Sequence, residues 1–297
     1  MSGGPTAQIR QRIDELPEVA GIEHRFVDAD GLRVHVAEAG DGPPVLLLHG
    51  WPQHWYMWKD VIERLAPQFR LIVPDLRGFG WTETPGGGYD PETFAADQVA
   101  LLDVLEIESA SVIGHDWGGF TCFLLGLGAP ERIERMIALN TLHPWAGVNA
   151  RLLLQVWRSW YAAANALPLL GPRLSQSGQI ANWMLSHGNV GDPFPEGAEI
   201  YLDRLRDPAR AEATASLYRY YMRAFAQAAR SPYRAERLSV PTLLLFGQRD
   251  LFVSPDLLEG GEAHADDLRI ELVPDAGHFI ANEKPDLVAR RALAFLS

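Results

Sequence analysis

The chain lacks the features that mark disulfide-bonded, membrane-spanning and nucleotide-binding proteins. Its single cysteine, Cys122, excludes an internal disulfide, and we expect this thiol to be a small core residue. No apolar run approaches the length of a membrane span, and Met1 to Glu18 has no apolar signal-peptide core, so a cytoplasmic location is expected. Gly-x-Gly-x-x-Gly, Walker, Cys-x-x-Cys and Gly-x-Ser-x-Gly motifs are absent from the sequence.

Basic charge is also scarce. The formal net charge is −12, with 47% apolar and 22% charged residues. Nucleic acids and anionic membranes require basic patches, so we expect neither as a partner. The sequence shows no cluster of metal-ligand residues, and neither a metal nor an organic cofactor is expected. The 297 residues suffice for one large domain with an insertion.

Strand-like and helix-like segments alternate along most of the chain. This alternation predicts an α/β fold with a mostly parallel, eight-stranded sheet flanked by helices. The predicted strands are His24–Ala29, Arg33–Ala39, Val45–Leu48, Leu71–Val73, Ala110–Ile113, Met136–Leu139, Thr242–Phe246 and Arg269–Val273. Helices are predicted notably at Pro91–Leu105 and Lys284–Leu296, and a helix-like stretch runs from Phe120 to Leu127.

The alternation breaks between about Leu142 and Pro232. This stretch has no convincing buried strand, and it holds four of the nine tryptophans and most of the tyrosines. We interpret residues 142–232 as a helical cap, here called the lid, inserted between two parts of the core at 1–141 and 233–297. Lids of this kind exclude water and shape substrate pockets. The alternative is an ordinary helical subdomain whose aromatic residues only pack.

The sequence Gly114-His115-Asp116-Trp117-Gly118-Gly119 is typical of a nucleophile elbow with aspartate in place of serine. An elbow between a strand and a helix strains its central residue and needs small neighbours, and glycines lie two positions before and two after Asp116. A carboxylate nucleophile forms an alkyl ester. This chemistry points to epoxides or alkyl halides as substrates.

Two residues downstream have the properties that such a nucleophile requires. Asp250 and His278 each follow the carboxyl end of a predicted strand, where open α/β sheets place their sites. His278 would activate water and Asp250 would orient the histidine. Asp250 as a solvated turn residue is the alternative, and Asp275 is interpreted as a loop carboxylate.

The sequence His49-Gly50-Trp51-Pro52 follows the predicted strand Val45–Leu48. A backbone N–H in this loop can serve an oxyanion hole together with that of the residue after the nucleophile, which predicts Trp51 and Trp117 as donors. The alternative is a plain turn. We expect the substrate pocket to be lined by His49, Pro52, Trp157 and Phe279.

Together these motifs resemble those of an epoxide hydrolase of the α/β-hydrolase fold. The motifs are His-Gly-x-Pro at 49–52, Asp-Leu-Arg-Gly-Phe-Gly at 75–80, His-Asp-Trp-Gly-Gly at 115–119 and Gly-His-Phe at 277–279. The resemblance covers about Phe26 to the C-terminus and is weakest in the lid. It implies a small-molecule epoxide and water as partners and detoxification as one role, and it leaves a homodimer open.

The resemblance also implies two lid tyrosines that bind the epoxide oxygen and protonate it. Tyr218 stands in the expected Tyr-Arg pair. Tyr161 is the candidate on the first lid helix, although the family's usual Tyr-Gln pair is here Tyr161-Ala162.

Three other functions remain as alternatives. A haloalkane or haloacid dehalogenase would use the same triad, with Trp117, Trp157 and Trp160 as candidate halide donors. A serine esterase or lactonase lacks a suitable nucleophile, because Ser111 lies on the strand leading into the elbow. A non-enzymatic ligand receptor on the same fold would not require the complete triad.

Overall fold

The computed structural model describes residues 16–146, 156–192, 194, 197–227 and 232–297. Residues 1–15 of the predicted core, and residues 147–155, 193, 195–196 and 228–231 of the predicted lid, lie outside the described residues. Within the described part, no helix is long and apolar enough to cross a membrane.

Eight strands form one sheet. They are β1 (Glu23–Ala29), β2 (Leu32–Ala39), β3 (Pro44–Leu48), β4 (Arg70–Pro74), β5 (Ala110–His115), β6 (Ile133–Leu139), β7 (Thr242–Gly247) and β8 (Leu268–Val273). Their order is β1-β2-β4-β3-β5-β6-β7-β8. Only β2 runs antiparallel to its neighbours, and β3 to β8 are parallel. The predicted α/β fold with an eight-stranded, mostly parallel sheet is confirmed, and each predicted strand boundary lies within three residues of the observed one.

Ten α-helices are found in the described residues. Five belong to the core: α1 (Lys59–Leu65), α2 (Pro91–Val104), α3 (Trp117–Gly128), α9 (Ile280–Glu283) and α10 (Pro285–Leu296). The other five lie between β6 and β7: α4 (Trp160–Ala166), α5 (Leu170–Ser177), α6 (Gln179–His187), α7 (Glu199–Leu205) and α8 (Pro208–Gln227). The helix α2 begins with a proline after Asp90, whose carboxylate accepts the Thr93 backbone N–H.

The centre of the sheet is buried on both faces. All residues of β5 and β7 are buried, and β3 is buried apart from its first residue. Continuous apolar strands of this kind are expected where helices cover both sides of a parallel sheet. Because parallel strands end at the same edge, the loops after β3, β5, β6, β7 and β8 converge on one region.

Several hydrogen bonds join the lid to the core, including bonds to loops that follow strands of the sheet. The buried guanidinium of Arg210 on α8 donates to the carbonyls of Gly80 (2.7 Å) and Thr82 (3.1 Å) in the loop after β4. Beyond α6, the Gly188 carbonyl accepts the His278 backbone N–H (2.7 Å). The helix α8 also packs against α4 and α5. The lid helices are therefore connected directly to loops at the carboxyl edge of the sheet.

Candidate active site

Asp116 lies at a sharp turn between β5 and α3. The strand ends at His115 and the helix begins at Trp117, so Asp116 alone makes the turn, with φ of 52° and ψ of −117°. Few non-glycine residues adopt a positive φ, and such strain is concentrated at functional sites. A side chain on Gly114 would collide with the Gly118 carbonyl, because strand and helix approach closely at this turn. The structure thus holds the Asp116 carboxylate on an elbow.

The loop after β3 packs on this carboxylate. The Trp51 backbone N–H donates to Asp116 Oδ2 (3.0 Å), and the nearby Trp117 backbone N–H, like that of Trp51, lowers the pKa of the same carboxyl group. A Cβ at Gly50 would overlap Asp116 Cβ and lie 2.6 Å from Oδ2, so only glycine allows this approach. The bond between Trp51 and Pro52 is cis, and Pro52 is buried. The two predicted amide donors therefore both point to the group that would carry an oxyanion.

Burial changes the acidity of Asp116. Desolvation raises the pKa of this carboxyl to about 6, against the opposing effects of His278 and of the amides of Trp117 and Trp51. The carboxylate form therefore still predominates at neutral pH. An ionised carboxylate with limited solvation is suited to nucleophilic attack.

His278 and Asp250 form a buried hydrogen-bonded pair. The distance between His278 Nδ1 and Asp250 Oδ2 is 2.8 Å, and each residue is at most 3% exposed. Burial alone would lower the pKa of His278, but the negative charges of Asp250 and Asp116 raise this pKa above its usual range. Burial alone would raise the pKa of Asp250, but His278 and hydrogen bonds to the carboxylate hold it below its usual range. The structure therefore brings the three predicted triad residues into one electrostatic group.

Asn140 supports this group and was not predicted as a site residue. It follows β6 with a φ of 43°, and its Nδ2 donates to Asp250 Oδ2 (2.8 Å) and to the Gly277 carbonyl (3.1 Å). Its Oδ1 accepts the Gly247 backbone N–H (3.2 Å). One amide side chain thus links the ends of β6 and β7 to the loop that carries His278.

The two predicted tyrosines pack against each other, and Tyr218 also packs against Trp51 and Trp117. The rings of Tyr161 on α4 and Tyr218 on α8 are perpendicular, with centroids 5.7 Å apart. The Tyr218 ring also packs on Trp51 (5.2 Å) and Trp117 (6.1 Å). Burial raises the pKa of both phenols well above the usual value, and the negative charge of Asp116 adds to the rise. Both phenols therefore keep their protons at neutral pH.

The orientation of α8 separates its three clustered tyrosines. Tyr220 donates to the Glu92 carboxylate (2.8 Å) on the core helix α2. The hydroxyl of Tyr221 lies 3.2 Å from Ser159 Oγ. Tyr218 is therefore the member of the cluster that contacts both Trp51 and Trp117.

The remaining predicted pocket residues occupy different environments. Phe279 is fully buried, with its ring 5.0 Å from the His278 ring. His49 is also buried, but its Nε2 accepts the Leu76 backbone N–H (2.9 Å) and its Nδ1 lies 3.1 Å from the Gly50 carbonyl. Both nitrogens of His49 thus have protein partners. Trp157 is 61% exposed, so it lies at the surface instead of in the buried pocket wall predicted for it.

Phe252 is a further wall residue that was not predicted from the sequence. Its ring lies 5.1 Å from the His278 ring and 5.4 Å from the Tyr161 ring, perpendicular to the former. It therefore joins the triad to the lid through an apolar contact. Among the described residues, no group of three or more His, Cys, Asp or Glu side chains could hold a metal ion.

The chain is similar to known proteins over most of its length. The family described as alpha/beta hydrolase fold matches residues 43–285. The AB hydrolase superfamily protein YfhM of Bacillus subtilis (strain 168) is 32% identical, over 93% of this chain and 98% of that protein. The soluble epoxide hydrolase of Corynebacterium sp. (strain C12) is 30% identical, again over 93% and 98%. The solved structure of epoxide hydrolase CorEH without ligand has a TM-score of 0.80 at 28% identity, covering 93% of this chain and 98% of the other.

Proposed function

Because the chain belongs to the α/β-hydrolase family and, within it, to the epoxide hydrolases, we propose that it converts an apolar or aryl epoxide and water to a vicinal diol through an ester on Asp116. The family resemblance predicted from the motifs is confirmed. The observation that supports the mechanism is the elbow carboxylate, which accepts the Trp51 backbone N–H and whose charge acts on the phenols of Tyr161 and Tyr218.

In the first half-reaction, the carboxylate of Asp116 opens the epoxide. The amide of Trp51 holds Oδ2, so the other oxygen, Oδ1, attacks a ring carbon. The carbon–oxygen bond of the ring breaks, and its electron pair moves to the epoxide oxygen. Tyr161 or Tyr218 donates its proton to that oxygen as charge develops, which avoids expulsion of a free alkoxide. The product is a hydroxyalkyl ester on Asp116.

In the second half-reaction, water cleaves the ester. His278, oriented by Asp250, takes a proton from water as the water oxygen bonds to the carboxyl carbon of Asp116. Oδ2 carries the developing negative charge, the Trp51 amide stabilises it, and the nearby Trp117 amide is the second proposed donor. The bond between the carboxyl carbon and Oδ1 then breaks, Oδ1 takes the proton held by His278, and the diol leaves. The second proton of the attacking water, now on the Asp116 carboxyl, returns to the tyrosine that gave up its proton in the first half-reaction, so all groups recover their resting states.

Formation of the ester also prepares the base. In the resting enzyme, the negative charge of Asp116 helps to raise the pKa of His278. Esterification removes that charge, so the pKa of His278 falls and its neutral form becomes more populated. The general base is therefore favoured at the step that requires it.

The proposal is tested by trapping the ester. The variant His278→Gln cannot activate water, so exposure to styrene oxide should add the whole epoxide mass to the protein, with the adduct mapped to Asp116 by peptide mass spectrometry. The double variant His278→Gln/Asp116→Asn should acquire no adduct. His264→Gln is a matched control, because His264 stacks on Trp145 outside the site and this variant should turn over normally.

A second exposure, to 1-bromobutane, distinguishes the dehalogenase alternative. An adduct of the butyl group without bromine would identify that reaction. The structure offers little support for it, since Trp157 and Trp160 are 61% and 42% exposed. Failure of both reagents to alkylate the trapped variant would contradict the assignment of Asp116 as the nucleophile.

A further inference from the structure

One lid helix holds the side chains of both oxyanion-hole tryptophans. The Trp51 indole N–H donates to Thr214 Oγ1 (3.1 Å), and the Trp117 ring packs on the Tyr218 ring with centroids 6.1 Å apart. Thr214 and Tyr218 are four residues apart on α8 and so lie on the same helical face. The indoles of both predicted oxyanion-hole residues therefore contact this lid helix, and that of Trp51 is hydrogen-bonded to it.

We propose that Thr214 is a positioning residue for the oxyanion hole. Its hydroxyl holds the indole of Trp51, and this contact aims the Trp51 backbone N–H at Asp116 Oδ2. The inference rests on the proposed ester mechanism, and Thr214 itself touches neither substrate nor nucleophile.

Burial and packing leave the Trp51 side chain few other positions. Thr214 is fully buried and Trp51 is 2% exposed. The Trp51 ring is perpendicular to the Tyr218 ring, with centroids 5.2 Å apart. An indole N–H without an acceptor in such a place is costly, so loss of the Thr214 hydroxyl favours a shift of the Trp51 ring. Gly50, the residue before Trp51, packs directly on Asp116, and the Trp51 backbone N–H donates to Oδ2. A shift of the Trp51 ring therefore displaces this N–H.

The two half-reactions depend differently on that donor. Negative charge leaves the Asp116 carboxylate when the ester forms, and it develops on Oδ2 when water attacks the ester. A donor to Oδ2 therefore accelerates ester hydrolysis and contributes little to alkylation. Deleting an oxyanion-hole donor slows a reaction by about 10² to 10³. For a donor that is displaced and not deleted, we expect about a tenfold loss in ester hydrolysis.

The test measures both half-reactions in single turnovers of the whole enzyme with styrene oxide. Acid-quenched samples give the ester by intact-protein mass spectrometry and the diol by chromatography. Thr214→Val removes the hydroxyl at nearly constant volume, and it should slow ester hydrolysis about tenfold while alkylation changes less than about twofold. Thr214→Ser keeps the hydroxyl and should restore the wild-type rate. Ser216→Ala, on the same helix and outside the site, is the control for helix stability and should leave both rates unchanged.

A double-mutant cycle asks whether the effect passes through the indole. Trp51→Phe removes the N–H from the other side of the same hydrogen bond, so Thr214→Val should have little further effect in that background. A second readout is the acid limb of the plot of alkylation rate against pH, because the Trp51 amide lowers the pKa of Asp116. In Thr214→Val this limb should move to higher pH, which a general loss of folding would not produce.

Several outcomes would overturn the inference. These are a normal rate of ester hydrolysis in Thr214→Val, an equal fall in both half-reactions, or a full tenfold loss that persists in the Trp51→Phe background. If Thr214→Val does not fold, Thr214→Ala replaces it in the same comparison. Failure of the proposed function itself looks different, since the wild-type enzyme would then form no ester on Asp116 in any sample.

Discussion

Lowering the pH from 7 to 5 should slow alkylation by about tenfold. With a pKa of about 6 for Asp116, the ratio of carboxylate to carboxylic acid is about ten at pH 7 and about one tenth at pH 5. The ionised fraction, which alone can attack, therefore falls from roughly nine tenths to roughly one tenth. An aspartate with an ordinary pKa near 3.9 would stay more than about nine tenths ionised at pH 5, so its alkylation rate would hardly change.

The assay is rapid acid quenching of the wild-type enzyme mixed with saturating styrene oxide between pH 4.5 and 8. The amount of ester formed before hydrolysis is read by intact-protein mass, and the rate constant is plotted against pH. The same series on His278→Gln provides a check of sign. His278 lowers the pKa of Asp116, so its removal should move the midpoint of alkylation above the wild-type value.

Two results would refute this reasoning. One is an alkylation rate that is constant from pH 5 to 8, and the other is a midpoint near 4. Either would mean that burial does not hold the pKa of Asp116 at about 6. The hydrolysis step is expected to follow a separate curve, because it requires neutral His278, whose pKa lies above its usual range in the resting enzyme.

Two further predictions concern the phenols and the nucleophile. Tyr161→Phe with Tyr218→Phe should lose the general-acid contribution to alkylation, about 10² to 10⁴ in rate, while each single variant loses only part of it and Tyr220→Phe loses none, as quenched-flow measurements would show. Replacing Asp116 by Asn should stabilise the protein by up to about 3 kcal/mol at pH 7.5, because raising a carboxyl pKa from 3.8 to about 6 destabilises the ionised native state by that amount. This destabilisation grows as the pH rises from about 4 to about 6. The gain in stability should therefore be absent near pH 4. Urea unfolding of both proteins at the two pH values measures it, and an equal gain at both would contradict the prediction.

The sheet and the triad could be predicted because each leaves a local pattern in the sequence. Buried strands such as β3 and β7 are short apolar runs that end at glycine or a polar loop. Asp250 follows β7 and His278 follows the less buried β8, and parallel strands bring their ends together. Family resemblance supplied the tyrosine pair, which local periodicity could not have identified.

Residues whose role depends on packing between elements were missed or misplaced. Asn140 is a neutral amide in no recognised motif. Its hydrogen bonds to Asp250 and Gly277 depend on how three strand ends meet. The contact of Thr214 with Trp51 spans 163 residues and depends on the rotation of a lid helix. Trp157 was expected to face inward, but it lies in a short 3₁₀ helix before α4 and is exposed there. No short-range pattern carries this information.

The hydrogen bond from the Trp51 amide to Oδ2 makes the two carboxylate oxygens of Asp116 inequivalent in the proposed reaction. Oδ2 accepts the Trp51 amide and lies where even a Cβ on Gly50 would crowd it, so the carboxylate has little freedom to rotate. In the proposed catalytic cycle, Oδ1 departs within the diol and an atom from water takes its place, while Oδ2 remains. After many turnovers in ¹⁸O-water, the peptide that contains Asp116 should therefore carry one heavy oxygen and not two. The protein would renew half of its nucleophile from solvent with every product it releases.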